Sequence, residues 1–297
     1  MSSKAQNDDK TDSGQVSAAE VTGGLKLRWV LYLLVGISIA FQFARICQVR
    51  SRKGDVPFFS ANDRSRWCTI AALAVTGSYE IDDLLFVERD GKQRKTSWYS
   101  IDLVRHRGKD GKLHYYSSKP PLLPTMYAGV YWMLRQCTGL TLSNDTFVVA
   151  RIILVLVNLI PLAAFWIFWV RYFCSGDRED GGWSALVLTS FLAFGTFLST
   201  FVSTLNNHLP AAIAVGLSVC CLHRILVEKD TRLRWYALAG LCTSFGAANE
   251  LPALGWVVAV AAMLFIHNPL KTVLGYLPAL LPVLLGFFGL NYLAHDE

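Results

Sequence analysis

Residues 235–266 read WYALAGLCTSFGAANELPALGWVVAVAAMLFI, an apolar block interrupted at its middle by Asn249-Glu250-Leu251-Pro252. A bilayer core takes about 20 apolar residues in a helix, so the block is too long for one span without strong tilt. Pro252 cannot donate into a continuing helix, and a carboxylate such as Glu250 is costly in hydrocarbon. The block therefore splits into two short spans on either side of the break. Working outward, apolar runs at 209–227, 183–204, 147–170 and 29–44 precede it, and 272–294 follows it. The expectation is an all-α polytopic membrane protein of about seven transmembrane helices.

Composition agrees. Of 297 residues, 53% are hydrophobic and only 17% charged, whereas a soluble domain carries about a quarter charged residues. An ordinary soluble enzyme is excluded. The net charge of +6 is modest and its basic residues are spread among apolar blocks, so no nucleic-acid partner is expected. The seven cysteines show no C-x-x-C spacing. In apolar stretches they read as small hydrophobes, not as a disulfide framework or zinc site.

Residues 1–26 are polar and read as a disordered cytoplasmic tail. The first span, 27–45, lacks a small-residue cleavage site and reads as uncleaved. An outer loop, 46–146, follows, and spans two to seven occupy 147–297. Asp90-Gly91 and Asp110-Gly111 mark turns in the loop, and 96–104 with 112–117 reads as a small β-hairpin. Helices are expected near 62–76 and 120–137. The second starts with two prolines and carries Arg135 near its end. It is laid flat in the interface, because a crossing there would make three before Arg171 and, with the N-terminus inside, put the short basic loops holding Arg171, Arg178, Arg224 and Arg232 outside. With those loops cytoplasmic, the long loop, the Leu205–His208 turn, the Glu250 break and the C-terminus all fall outside.

Four outer segments carry titratable groups. Asp63 opens a helical stretch and stands where an N-cap would, so a plain cap competes with catalysis; Arg66, three residues on, shares its face. Lys119 precedes Pro120-Pro121, which aims it, although a lone lysine at this depth also serves as a headgroup anchor. Asn206-Asn207-His208 precede Pro210, either as a cap or as a site. Glu250 is either functional or a hydrogen-bonded group that holds helices together.

Read together, Asp63-x-x-Arg66-Trp67-x-x-Ile70-Ala71 and Tyr116-x-x-Lys119-Pro120-Pro121-Leu122 resemble the GT-C membrane glycosyltransferases. The resemblance is to the branch of bacterial protein O-mannosyltransferases (dolichyl-phosphate-mannose-protein mannosyltransferase-like) and lipid A aminoarabinose transferases. That branch opens its first outer loop with D-E-x-R-Y-x-x-I-A and closes it with Y-F-x-K-P-P-L. The resemblance implies transfer of a sugar from a polyprenyl-phosphate donor to an acceptor protein, lipid or glycan. The active site would lie on the outer side of the cytoplasmic (inner) membrane. It implies that Asp63 acts as base or positions the acceptor, and that Lys119 and Arg66 contact the lipid phosphate. Tyr116, Asn207, His208 and Glu250 would complete the substrate site. Two departures bear on cofactors. Arg64 stands where the family has a second acid, and Asn206, Asn207 and His208 stand where an Asp often precedes Pro. Both weaken a carboxylate metal site, so a divalent metal stays open and no cofactor is firmly expected.

A polytopic transporter or a non-catalytic scaffold is the alternative; Glu250 at a helix break is its best feature. The chain stops at His295-Asp296-Glu297, and the expectation is a truncated gene or a fragment. The topology is testable with single cysteines and an impermeant thiol reagent. A cysteine at Ser97 should label in intact cells and one at Ser175 should not; the reverse pattern inverts the arrangement.

Overall fold

The structure is a computed structural model and describes residues 18–108, 110–173 and 182–295. Its helices are α1 (Ala18–Gln48), α2 (Ala61–Thr76), α3 (Asp82–Leu85), α4 (Leu122–Thr138), α5 (Thr146–Tyr172), α6 (Trp183–Phe201), α7 (His208–Val227), α8 (Leu233–Asn249), α9 (Leu254–His267) and α10 (Pro269–His295). Five of them are long and apolar enough to cross a membrane: α1 from Leu27, α5, α6, α7 and α10. Against the expected seven, five of the described helices qualify. The divided block forms helices of 17 and 14 residues, α8 and α9, about 25 and 21 Å long at 1.5 Å per residue. Large apolar side chains such as Phe41, Phe191, Leu285 and Phe288 face outward. This is the architecture of a helical multi-pass membrane protein.

α1 begins at Ala18, inside the stretch read from sequence as disordered tail. Once a span has met the nucleation cost, extending a helix is cheap. Residues 1–17 lie outside the described residues.

The helices run between two poles. At one, Tyr172 Oη donates to Glu228 Oε1 (2.7 Å) and meets His223 Nδ1 (2.9 Å), and Lys271 Nζ donates to Thr231 O. The basic 224–234 loop and the end of α5 therefore share this pole, as the charge pattern required. At the other pole lie α2, α3, α4, the strands, the 202–207 segment, the Glu250 break and the end of α10. α8 is central, packed on α7, α9 and α10. Its close approach to α10 needs a missing side chain: a Cβ on Gly240 would lie 2.4 Å from Tyr276 O. Tyr276 Oη meets Thr243 Oγ1 at 2.9 Å and Val257 O at 2.8 Å, joining α8, α9 and α10.

The polar cap holds two hairpins, not one. β1 (Phe86–Arg89) pairs with β2 (Lys92–Lys95), and β3 (Leu103–Arg107) with β4 (Leu113–Ser117), both antiparallel. Asp90 (φ 55°) and Gly91 (φ 66°) make the two-residue turn of the first, as a type I′ hairpin requires. In the second, the strand expected over 96–104 starts only at Leu103. Thr96 Oγ1 accepts from Trp98 N and Ser100 Oγ from Asp102 N, and such local bonds compete with a ladder. α2 and α4 lie within a residue or two of their expected positions and pack along each other. Trp67 of α2 is fully buried and stacks on Phe58 (5.4 Å).

Between α6 and α7 the chain is irregular yet buried: Val202, Leu205, Asn206 and Asn207 are all under 10% exposed. Buried backbone groups must find partners, and here side chains supply them. Asn158, wholly buried where Pro161 interrupts the regular hydrogen bonding of α5 and the helix widens, donates to Val202 O and Thr204 O, both at 2.9 Å. Asn206 Nδ2 donates to Phe201 O (2.7 Å) and its Oδ1 accepts from Leu209 N (2.9 Å). Asn158→Leu should therefore destabilise the protein although it makes a span more apolar. The expected cost is about 1–3 kcal/mol for orphaned buried carbonyls, read as a lower melting temperature in detergent. An unchanged melt would show that the turn is held otherwise.

Candidate functional site

Asp63 is not the N-cap. Ser60 caps α2, its Oγ accepting from Asp63 N at 3.1 Å, and Asp63 lies one turn inside. The pair forms a capping-box arrangement in which Asp63 Oδ2 accepts from Phe59 N (2.8 Å). Its other oxygen reaches across the cap: Oδ1 accepts from Leu205 N at 2.8 Å. The side chain is 1% exposed. Burial pushes its carboxyl up to about 6, against the two backbone N–H groups and the charge of Arg66, which pull it down.

Arg66 extends the same contact. Its Nη1 donates to Leu205 O (3.3 Å) and to Asn62 O (3.2 Å), and Nη2 to Asn207 Oδ1 (3.0 Å). Asn207 Nδ2 donates onward to Asn249 O at 3.0 Å. Burial lowers the guanidinium's hold on its proton, and the charges of Asp63, Asp102 and Glu250 offset this. Beside this chain, His208 Nδ1 lies 2.7 Å from Glu250 Oε1, and the His208 ring packs on Phe201 at 4.7 Å. Unlike the Asp63–Arg66 part, this pair reaches solvent; the His208 side chain is 55% exposed. Asp63, Arg66, Asn207, His208 and Glu250 thus come together at one pole.

Lys119 and Tyr116 do not enter that network directly. Lys119 Nζ pairs with Asp102 Oδ2 at 2.9 Å, and Ser118 Oγ donates to Asp102 Oδ1. The contact with α2 is made next door, Ser117 Oγ donating to Ser65 Oγ at 3.1 Å. Tyr116, one residue earlier in β4, faces the other way. It stacks on His106 at 3.7 Å and donates to Glu80 Oε1 at 3.4 Å, so the structure separates it from Asp63.

Below the cluster an apolar groove of about 520 Å³ runs down the bundle. α4 contributes Leu123, Met126, Tyr127 and Val130, one face at i, i+3, i+4, i+7; α7 contributes Pro210, Ile213, Ala214 and Leu217 on the same spacing. Phe245 of α8 and Val283 of α10 close it. Its upper rim adjoins the polar network: Pro210 follows His208 by two residues, and Phe245 O accepts from Asn249 Nδ2. Met126 is half exposed at its mouth. The arrangement can take an amphiphile entering from the side, with its tail in the groove and its head at His208, Glu250 and Arg66.

No family model, curated protein or solved structure matches the chain significantly. Among the described residues, no group of three His, Cys, Asp or Glu side chains is placed to hold a metal ion.

Sequence reasoning passed over Ser60, Asp102 and Asn158, and took Asn249 only as part of the helix break. Ser60-x-x-Asp63 is a readable capping pattern, and an amide within an apolar run is itself a signal. Nothing local marks Asp102, whose partner lies across a hairpin.

Asp63 yields a pH prediction. Its folded carboxyl titrates near 6 against 3.8 unfolded, so the folded state binds more protons between these values. The associated stability is full below about pH 4 and is lost as pH rises through about 6, by roughly 3 kcal/mol at 1.36 kcal/mol per unit. Asp63→Asn should remove that slope from the melting profile. Asp63→Ala should do the same and be about 1–3 kcal/mol less stable than Asp63→Asn, because it retains no acceptor for Phe59 N or Leu205 N. Equal melts for the two variants would dismiss the carboxylate as a clasp.

Proposed function

We propose that the chain is a membrane glycosyltransferase that moves a sugar from a polyprenyl-phosphate donor to an acceptor protein, lipid or glycan. The reaction is assigned to the pole that carries α2 and α4, on the outer side of the cytoplasmic membrane. In this reading α8 and α9 are short spans, bringing the count to seven. The observation that carries it is the side-open apolar groove whose rim adjoins His208, Glu250 and the Arg66 network. An isoprenoid tail suits the groove, and a phosphate suits its cationic end.

The chemistry assigned to the site is a single displacement. An acceptor hydroxyl or amine bonds to the anomeric carbon of the sugar, and the carbon–oxygen bond to the lipid phosphate breaks. The phosphate departs with the electron pair, its charge stabilised by Arg66 and by Lys119 nearby. The acceptor's proton goes to a base. Asp63, the base that the family resemblance implies, has both oxygens engaged by backbone N–H groups and is almost wholly buried. Its geometry favours positioning Arg66 and the 205–207 turn. We assign the base to His208, whose Nδ1 is held by Glu250, leaving Nε2 to accept the proton; this is the usual division between a base and its orienting carboxylate.

The competing reading is a non-catalytic scaffold, and the complete hydrogen bonding of Asp63 is the observation in its favour. Membranes containing the protein, supplied with radiolabelled polyprenyl-phosphate sugars and a panel of acceptors, separate the two. His208→Ala should lower transfer by roughly 10²-fold, and Glu250→Gln should lower it less, with folding intact because both side chains reach solvent. Absence of transfer to every acceptor sinks the enzyme reading.

A further inference from the structure

The apolar groove does not end at Leu217. Beyond it, toward the pole of the basic 224–234 loop, lies a smaller apolar cavity of about 220 Å³. Leu217 and Cys242 line both spaces. The same faces of the helices serve both. On α7 the stripe Ile213, Leu217, Cys221 and Arg224 runs from one into the other. On α8 Phe245, Cys242 and Leu238 do the same, and α5 adds Pro161 above and Phe168 below. Residues at these spacings share a helix face. The two spaces are therefore one cleft, pinched at Leu217 and Cys242.

The cleft narrows as it descends. α4 and α10 help to wall the upper part, whereas among the described residues only α5, α7 and α8 line the lower. α5 and α7 touch beside the pinch, where Gly216 leaves room for Phe165; a Cβ on Gly216 would lie 2.5 Å from that ring. The floor is Arg224, whose guanidinium lies over the rings of Tyr172 (4.7 Å) and Trp235 (5.6 Å) and pairs with Glu228. A cation covered and neutralised in this way does not call for a second headgroup, so the head of an occupant belongs at the upper rim. Arg224 follows His208 by 16 residues of α7, about 24 Å of helix. One leaflet supplies about 15 Å of hydrocarbon, so an acyl chain of an ordinary phospholipid headed at the rim stops short of the floor. A longer single tail of isoprenoid type fills it.

We propose that Leu217 and Cys242 form a neck through which one tail passes into the lower cavity, so that the protein selects lipid phosphates by tail length. The inference rests on the groove holding the donor's tail, as in the proposed function, and adds the two residues that determine which tails are held well. Tails too short to pass the neck leave the lower cavity without contacts, and longer ones gain them.

The test is calorimetric titration of the purified, detergent-solubilised chain with geranyl, farnesyl and geranylgeranyl phosphate, a series of increasing tail length. Affinity should rise along the series, by about tenfold or more between its ends, as packing contacts accumulate. Leu217→Phe and Cys242→Phe each fill the neck. Either should weaken geranylgeranyl phosphate by about fivefold more than it weakens geranyl phosphate, because added bulk blocks only what must pass. All proteins are measured in one detergent, so partition of the longer tails into micelles cancels between them. Melting curves report folding, and a second measurement needs no substitution. Alkylation of Cys242 by a membrane-permeant maleimide, followed by mass spectrometry, should be slowed by geranylgeranyl phosphate and not by geranyl phosphate. Equal losses for both lengths in the variants, or equal protection of Cys242 by both ligands, overturns the neck and leaves the transfer reading standing. Absence of sugar transfer with the length dependence retained does the reverse. No binding of any prenyl phosphate overturns both.

Discussion

The short irregular segment between α6 and α7 imposes the constraint on which the polar end of this protein depends. Its backbone turns while buried, so each of its N–H and C=O groups needs a partner that is not water. The partners come from three directions. Asn158 enters from a span, Asn206 from the segment itself, and Asp63 and Arg66 from the helix that opens the polar cap. The bundle and the cap are therefore joined by hydrogen bonds to one stretch of main chain.

This arrangement gives Asp63 and Arg66 a structural task that precedes any chemical one. A carboxylate that accepts two backbone N–H bonds and a guanidinium that reaches two carbonyls and an amide hold α2 against the turn. The same bonds fix His208, which starts α7 immediately after that turn, and, through Asn207 and Asn249, the strand-like break at Glu250. His208 and Glu250 come from helices 42 residues apart and meet because both follow anchored backbone. Rigid support beneath a solvent-facing pair is what a proton-transfer site needs.

The pole divides into two compartments of opposite character. On one side the stripes of α4, α7 and α8 leave an apolar groove open to the bilayer. On the other, the β3–β4 hairpin and the end of α10 line a separate, more polar cavity. Lys119, paired with Asp102, lines the second.

Hydrophobic runs and their charged flanks determined much by themselves. They identified the apolar helices, the division of 235–266 at Glu250, α2 and α4, and the gathering of the basic loops at one pole, because burial in lipid and short-loop charge act on local sequence. Asp63 with Arg66, Asn207 with His208, and Glu250, singled out in separate segments of the chain, meet at one pole. Tertiary structure alone decided what those residues do. Asp63 moved from cap to clasp once Leu205, distant in sequence, donated to it. Tyr116 left the cluster because strand alternation turns it away from Ser117. Lys119 acquired Asp102 from across a hairpin whose strand began later than its composition indicated, and the pairing of a buried polar group with distant backbone has no periodic signature in the chain.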